Sequence, residues 1–117
     1  MEKINLKNGI RVLFTPNETS VAFAMSVFVY VGARYDPKGK EGLSHFVEHM
    51  ALKRTDKFSK NRELSKAIDS IGAFSESYTS KEQTCYNIWN GILHAERCIE
   101  IMSEIVMHPI LYCLLKT

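Results

Sequence analysis

The feature that most constrains the fold is the nearly continuous apolar run at residues 21–31, which is rich in Val and Phe. Such a run is typical of a β-strand buried on both faces, because a solvated face would show polar residues at every second position. The run is about half as long as the ~20 apolar residues that a membrane helix needs. A strand of this kind needs other layers packed against it, so we expect a layered fold.

A β-hairpin is predicted before this strand. Apolar and polar residues alternate on both sides of Asn8-Gly9, and these two residue types tolerate the positive φ angles of a two-residue turn. Pro16 follows the second arm and closes the hairpin. The chain therefore begins with antiparallel strands.

Three helices are predicted from apolar residues at helical spacing. The first spans residues 43–54 and the second spans residues 61–71, with Gly72 as its C-terminal cap. Residues 74–89 have the composition of a strand with a kink at Lys81-Glu82. Asn90 is expected to cap the third helix and Pro109 to end it. The expected inner face of the third helix consists of Ala95, Cys98, Ile99, Met102, Ile105 and Val106.

The order of these elements predicts the α+β class, with helices packed on one mainly antiparallel sheet. Residues 1–110 are expected to form one domain. The apolar run at 111–117 has no cap and no amphipathic period, so its structure is left open, and it needs something to bury it.

Charge and cysteine content bound the partners and the compartment. Fifteen Lys and Arg against thirteen Asp and Glu leave a net charge of +2, which carries no nucleic-acid or membrane-surface signal. The three cysteines are odd in number and widely spaced, which favours reduced thiols in the cytoplasm over a disulfide framework.

The motif that carries chemistry is His45-Phe46-Val47-Glu48-His49 in the first predicted helix. Positions i, i+3 and i+4 share one helix face, so His45, Glu48 and His49 lie together. The two imidazoles can bind Zn²⁺ while the carboxylate acts as general base toward a zinc-bound water. Two ligands are one fewer than a catalytic zinc site needs. The alternative is an amphipathic helix whose histidines are only polar neighbours, but an apolar helix has little reason to bring these three groups together without a cation.

The motif and its flanks resemble the pitrilysin and insulysin family, which includes the mitochondrial processing peptidases. His-x-x-Glu-His is the inverzincin order, and residues 42–50 carry it as Gly-Leu-Ser-His-Phe-Val-Glu-His-Met. The resemblance extends to the hairpin at 8–12, to residues 31–36 and 72–79, and to the segment 107–109.

This resemblance implies an α/β roll in which His45 and His49 bind zinc and Glu48 is the general base of peptide-bond hydrolysis. It also implies a third ligand, a glutamate on a later helix, further past His49 than the sequence extends. A second peptidase-like domain or subunit would complete the cavity. We therefore expect the front part of a peptidase domain, truncated before its third ligand and inactive or weak in isolation.

Other residues of the chain could supply the missing ligand. Three glutamates of the third helix recur at i, i+4 and i+8, which is typical of a solvated face. His94 and His108 flank that helix, where a structural role is expected. The full set of alternatives is Glu76, Glu82, Glu96, Glu100, Glu104, His94, His108 and Cys113.

The resemblance places the substrate on the strand that contains Ser75, Glu76 and Ser77, where a peptide would add as an extra strand. The family typically carries Asn-Ala where this chain has Glu76-Ser77. A carboxylate at that position would favour basic side chains in the substrate or interfere with the metal. The alternative for Glu76 is an exposed charge that protects a sheet edge from aggregation.

Two other functions fit the same residues. One is a catalytically inactive relative that serves as a binding or interaction module. The other is an enzyme similar to the S-ribosylhomocysteine lyases, which complete a similar signature with a cysteine. Cys113 would take that role, although the flanks of the motif do not resemble those enzymes.

Overall fold

The structure, a computed structural model, describes residues 1–111 of the chain. The predicted apolar tail lies outside this part except for Leu111. Five strands and three α-helices lie within it. They are β1 (Glu2–Asn5), β2 (Arg11–Phe14), β3 (Ala22–Val29), α1 (Leu43–Ala51), α2 (Glu63–Ser70), β4 (Phe74–Thr79), β5 (Thr84–Gly91) and α3 (Ala95–Met107).

The N-terminal hairpin forms as the sequence predicts, with a longer loop. β1 and β2 pair antiparallel, and the last pair is Asn5 with Arg11. Five residues, not two, connect the strands, and Gly9 adopts a φ of 92° within the loop. The hairpin forms a two-stranded sheet of its own in the described part of the chain.

The main sheet has three antiparallel strands in the order β3-β5-β4. The predicted kink within residues 74–89 is a full reversal of the chain, because the Ser80 N–H donates to the Gln83 carbonyl at 2.8 Å. β4 and β5 are therefore two arms of a hairpin, and β4 lies at one edge of the described sheet.

The prediction of a strand buried on both faces is wrong for β3. Phe23, Met25, Val27 and Val29 pack against the core, whereas the alternate residues face outward and Phe28 is exposed. The helices cover only one face of this sheet, and the apolar residues on the other face hid the two-residue period. The α+β class with helices on antiparallel sheet is confirmed.

The core lies between the inner face of the main sheet and the three helices. α3 packs against β3 and β5, α1 packs against β4 and β5, and α2 lies against α3 and β4. Their buried side chains include Phe58, Leu64, Ala67, Ile68, Ile88, Cys98, Ile101, Met102 and Ile105.

α3 begins later than predicted, and the side of the helix that it buries differs from the predicted side. Asn90 lies at the end of β5 and donates to the Ile71 carbonyl at 2.7 Å, so it is not the helix cap. A short 3-10 turn, Ile92–His94, precedes α3, and His94 takes the cap position. Ile101 is fully buried, while Ile99 remains 47% exposed. The predicted Gly72 cap is present, with a φ of 67°.

Gly32 lies where the chain after β3 crosses the β4–β5 turn. Its neighbour Ala33 donates a backbone hydrogen bond to the Ser80 carbonyl at 3.0 Å. A Cβ on Gly32 would lie 2.5 Å from the Ser80 oxygen and 2.7 Å from the backbone of residues 81 and 82. Only glycine allows this close approach.

Gly32→Ala should lower the free energy of unfolding by about 2–3 kcal/mol, because backbone atoms must move to admit the methyl group. Urea denaturation followed by circular dichroism measures the change. Gly91→Ala is the matched control, since a Cβ there would meet its nearest atom at 3.9 Å. Equal effects of the two substitutions would contradict the close-packing explanation.

Candidate metal centre

His45 and His49 project from one side of α1, and both are exposed. Their Nε2 atoms lie 2.8 Å apart, and the ring centroids are separated by 4.4 Å. Two imidazole nitrogens bound to one tetrahedral zinc at ~2.0–2.1 Å would lie about 3.3 Å apart. A small rotation of either ring reaches that spacing, so the two nitrogens suit a shared metal ion.

Glu48 lies on the adjacent side of α1 and faces the sheet. Its exposed fraction is 3%, in contrast to the two histidines. Ser77 donates its hydroxyl to Glu48 Oε1 at 2.5 Å, and Thr79 donates to Oε2 at 2.5 Å. Both carboxylate oxygens therefore have partners, which offsets much of the cost of burying the group.

Tyr86 of β5 lies near this carboxylate on the inner face of the sheet. It is paired with Ser77 in the β4–β5 register. Burial, and after it the negative charge of Glu48, raise the pKa of the Tyr86 hydroxyl above its ordinary value. Tyr86 is therefore a neutral neighbour of Glu48 at ordinary pH.

The N-terminus of α1 is held by Asp36, which precedes the helix by seven residues. Asp36 Oδ2 accepts the Gly42 N–H at 2.9 Å, and Oδ1 accepts the Ser44 N–H at 3.0 Å and the Ser44 hydroxyl at 2.5 Å. A carboxylate at this position satisfies free backbone donors and interacts favourably with the helix dipole. The residue after Ser44 is His45, so this contact fixes the helix at the start of the motif.

The predicted substrate residues divide between the two faces of β4. Ser77 faces α1, as its bond to Glu48 shows, so Ser75 lies on the same face by the two-residue period. Glu76 is exposed and lies on the opposite face, paired with Asn87. This placement does not favour interference between Glu76 and a metal on α1.

Several of the alternative ligands are engaged in other interactions. Glu82 pairs with Arg34, and Glu100 pairs with Arg97 at 2.6 Å and with Lys57. Glu104 accepts the Lys57 N–H at 3.1 Å. Within residues 1–111, no group of three His, Cys, Asp or Glu residues could hold a metal ion. Cys113 lies outside the described residues.

The described cysteines are thiols in the protein interior. Cys85 and Cys98 are both buried and free of disulfides. Burial raises the pKa of the Cys98 thiol, so the thiol form is favoured. Among the described residues, no helix is long and apolar enough to cross a membrane.

Sequence reasoning missed Asp36, Thr79 and Tyr86. Thr79 could have been found, because it follows Ser77 by two residues and so shares its face of a strand. The contact of Asp36 with the first turn of α1 depends on the path of the intervening loop. No local pattern predicts it.

Comparison with known proteins supports the resemblance seen in the motif. Residues 11–114 match the sequence model of the insulinase family, peptidase family M16. The zinc protease YmxG of Bacillus subtilis (strain 168) is 32% identical over 108 residues, which are 92% of this chain and 26% of that protein. The mitochondrial-processing peptidase subunit beta of Rattus norvegicus is 34% identical over 106 residues, covering 91% of this chain and 21% of that subunit.

Two solved structures share the fold. A protease from Helicobacter pylori superposes with a TM-score of 0.86 and 29% identity, covering 94% of this chain and 26% of that one. Pitrilysin superposes with a TM-score of 0.85 and 23% identity, over 92% of this chain and 12% of that one. The fold and the motif together are those of a zinc-protease domain. The chain belongs to the insulinase family, peptidase family M16, and spans about a quarter of the Bacillus relative.

Asp36→Asn should destabilise the chain at about pH 7, with a smaller effect in acid. The Ser44 hydroxyl, followed by backbone N–H donors, holds the pKa of Asp36 below its ordinary value. A lowered folded-state pKa gives stability that is present above about pH 4 and is lost as the pH falls through the folded-state pKa. Urea unfolding between about pH 3 and pH 7 measures this dependence.

The matched control for Asp36 is Asp69→Asn, because Asp69 is an exposed acid on α2. That substitution should leave the pH dependence of unfolding close to the unsubstituted profile. If the two variants lose the same stability at every pH, Asp36 does not hold the helix N-terminus through its charge.

Proposed function

We propose that this chain is part of a zinc metalloendopeptidase in which His45 and His49 bind the metal ion and Glu48 is the general base. The observation that carries the proposal is the convergence of the two Nε2 atoms, 2.8 Å apart, beside a carboxylate fixed against the sheet. Family membership supports the metal and the reaction class. The third ligand would come from outside the described residues, from a longer polypeptide or a second peptidase-like subunit.

The proposed chemistry divides between the metal and the chain. Zinc, when bound, supplies a Lewis acid that acidifies water and polarises a carbonyl. Glu48 then takes the proton of the water that attacks the peptide carbonyl, and gives it to the leaving amine. Two hydroxyl donors already fix the orientation of the carboxylate, so it does not have to be ordered before it accepts the proton.

The proposed substrate is a peptide that pairs with the edge of β4. β4 lies at the edge of the described sheet, so one row of its backbone N–H and C=O groups is open to an added strand. Glu76 is exposed on this strand and would favour basic side chains in the peptide. Ser75 is exposed on the inner face, where it would contact the same peptide.

An inactive binding module is the second candidate. The absence of a three-residue ligand group within residues 1–111 favours it for this chain by itself. Such a module would keep the open β4 edge and bind extended peptides without cutting them. Metal content and cleavage separate the two functions.

Zinc should bind the purified chain through the histidine pair. His45→Ala and His49→Ala should each weaken binding at least about tenfold, because one imidazole of two is lost. Competition with a chromophoric chelator measures the affinity, and elemental analysis measures the stoichiometry. His94→Ala is the control, since His94 flanks α3, apart from the motif. Unchanged affinity in both motif variants would contradict the proposed ligands.

Glu48→Gln should retain the metal and abolish peptide cleavage. The amide keeps the shape of the carboxylate but cannot accept the proton. A quenched fluorescent peptide, added with zinc to the chain, measures cleavage, and a chelator should abolish whatever signal is present. We expect weak or no activity from the chain alone. Cleavage retained in Glu48→Gln would refute the general-base role, and a folded chain that binds no zinc would favour the binding module.

A further inference from the structure

We infer that Ser77 and Thr79 are positioning residues that hold the Glu48 carboxylate on the sheet side of α1, away from the metal, so that it serves as a base and not as a ligand. This inference rests on the proposed function. It assigns to Ser77 a role different from the substrate contact that the sequence predicts. Neither hydroxyl is part of the His-x-x-Glu-His motif.

A zinc site that uses a carboxylate as general base must keep that carboxylate from binding the metal. A carboxylate is itself a good zinc ligand, and the described chain supplies only two imidazoles to the metal. Glu48 is the residue immediately before His49, so its carboxylate is the acidic group nearest in sequence to the histidine pair. Something must therefore keep it from the metal if it is to accept a proton.

The contact between β4 and Glu48 has a geometry that orients the carboxylate. Ser77 and Thr79 are two residues apart on β4, so both side chains project toward α1. Each gives one hydroxyl to a different oxygen of Glu48, at 2.5 Å in both cases. Two donors on two oxygens fix the plane of the carboxylate as well as its place, which a single donor could not do.

The motif residues of α1 differ in burial. Glu48 is 3% exposed, whereas the adjacent His49 and the preceding His45 are exposed. On the helix, Glu48 points about 100° away from His49 and about 60° away from His45, so the carboxylate lies beside the imidazoles but is turned toward the sheet. The two hydroxyls hold Glu48 on the buried side, while the histidines stay open to an ion.

The test compares metal binding by Ser77→Ala/Thr79→Val with binding by the unsubstituted chain, each with and without Glu48→Gln. In the unsubstituted chain, Glu48→Gln should change the affinity for Zn²⁺ less than about twofold. In the double variant the released carboxylate should join the metal, and the affinity should rise by about tenfold because one oxygen ligand is added. Adding Glu48→Gln to the double variant should remove that gain. Co²⁺ absorption should show the added oxygen ligand in the same variant only.

One conservative substitution and one control substitution separate loss of the hydroxyl contact from a general effect of mutation. Thr79→Ser keeps the hydroxyl and should bind Zn²⁺ like the unsubstituted chain. Ser65→Ala removes an exposed hydroxyl of α2 that donates to the Arg62 carbonyl and not to Glu48, and it should also have no effect. If the double variant does not fold, the single variants Ser77→Ala and Thr79→Val should show a smaller gain in affinity that Glu48→Gln removes.

The inference and the proposed function can fail separately. Equal Zn²⁺ affinity in the double variant and the unsubstituted chain would show that the hydroxyls do not hold Glu48 off the metal. Absence of metal binding in every chain would refute the proposed function. The contact is then tested by a double-mutant cycle between Ser77→Ala and Glu48→Gln in urea unfolding. A coupling of about tenfold in the unfolding constant would support a fixed carboxylate, and no coupling would overturn it.

Discussion

The buried carboxylate of Glu48 is the constraint on which the rest of the site depends. A charged group with 3% exposure is costly unless its oxygens accept hydrogen bonds, and here β4 provides both donors. This requires α1 to lie against β4 with Glu48 facing the strand, and it requires Ser77 and Thr79 to point inward together. The remaining positions of the motif follow, because the rotation of the helix then turns His45 and His49 away from the sheet.

Two contacts outside the motif keep α1 in this orientation. Asp36 accepts hydrogen bonds from the first turn of the helix and so fixes where the helix begins. Gly32 lets the chain before α1 approach the β4–β5 turn at a distance that no side chain would allow. Both contacts lie in the connection between β3 and α1. That short connection therefore ties the motif helix to the same hairpin that supplies the hydroxyl donors.

Much of the fold could be predicted because its local signals are strong. The Asn8-Gly9 hairpin, the start of α1 at Leu43 and the Gly72 cap of α2 all depend on residues close together in sequence. The errors have a common cause. α1 ends at Ala51, short of the predicted 54, and α3 buries Ile101 while Ile99 remains largely exposed. Where a helix ends and which side it buries depend on the neighbouring layers, and apolar residues on both sides of α3 leave its phase ambiguous.

The class of protein, and the groups proposed to carry its chemistry, follow from the amino-acid sequence alone. The spacing of His45, Glu48 and His49 places them together on any helix, since helical geometry is local. Which groups surround them depends on the tertiary structure. The hydroxyls that meet Glu48 come from a strand that lies about thirty residues further along the chain, and Asp36 reaches α1 through a loop. Such contacts depend on strand register and on packing between layers, which a single sequence does not reveal.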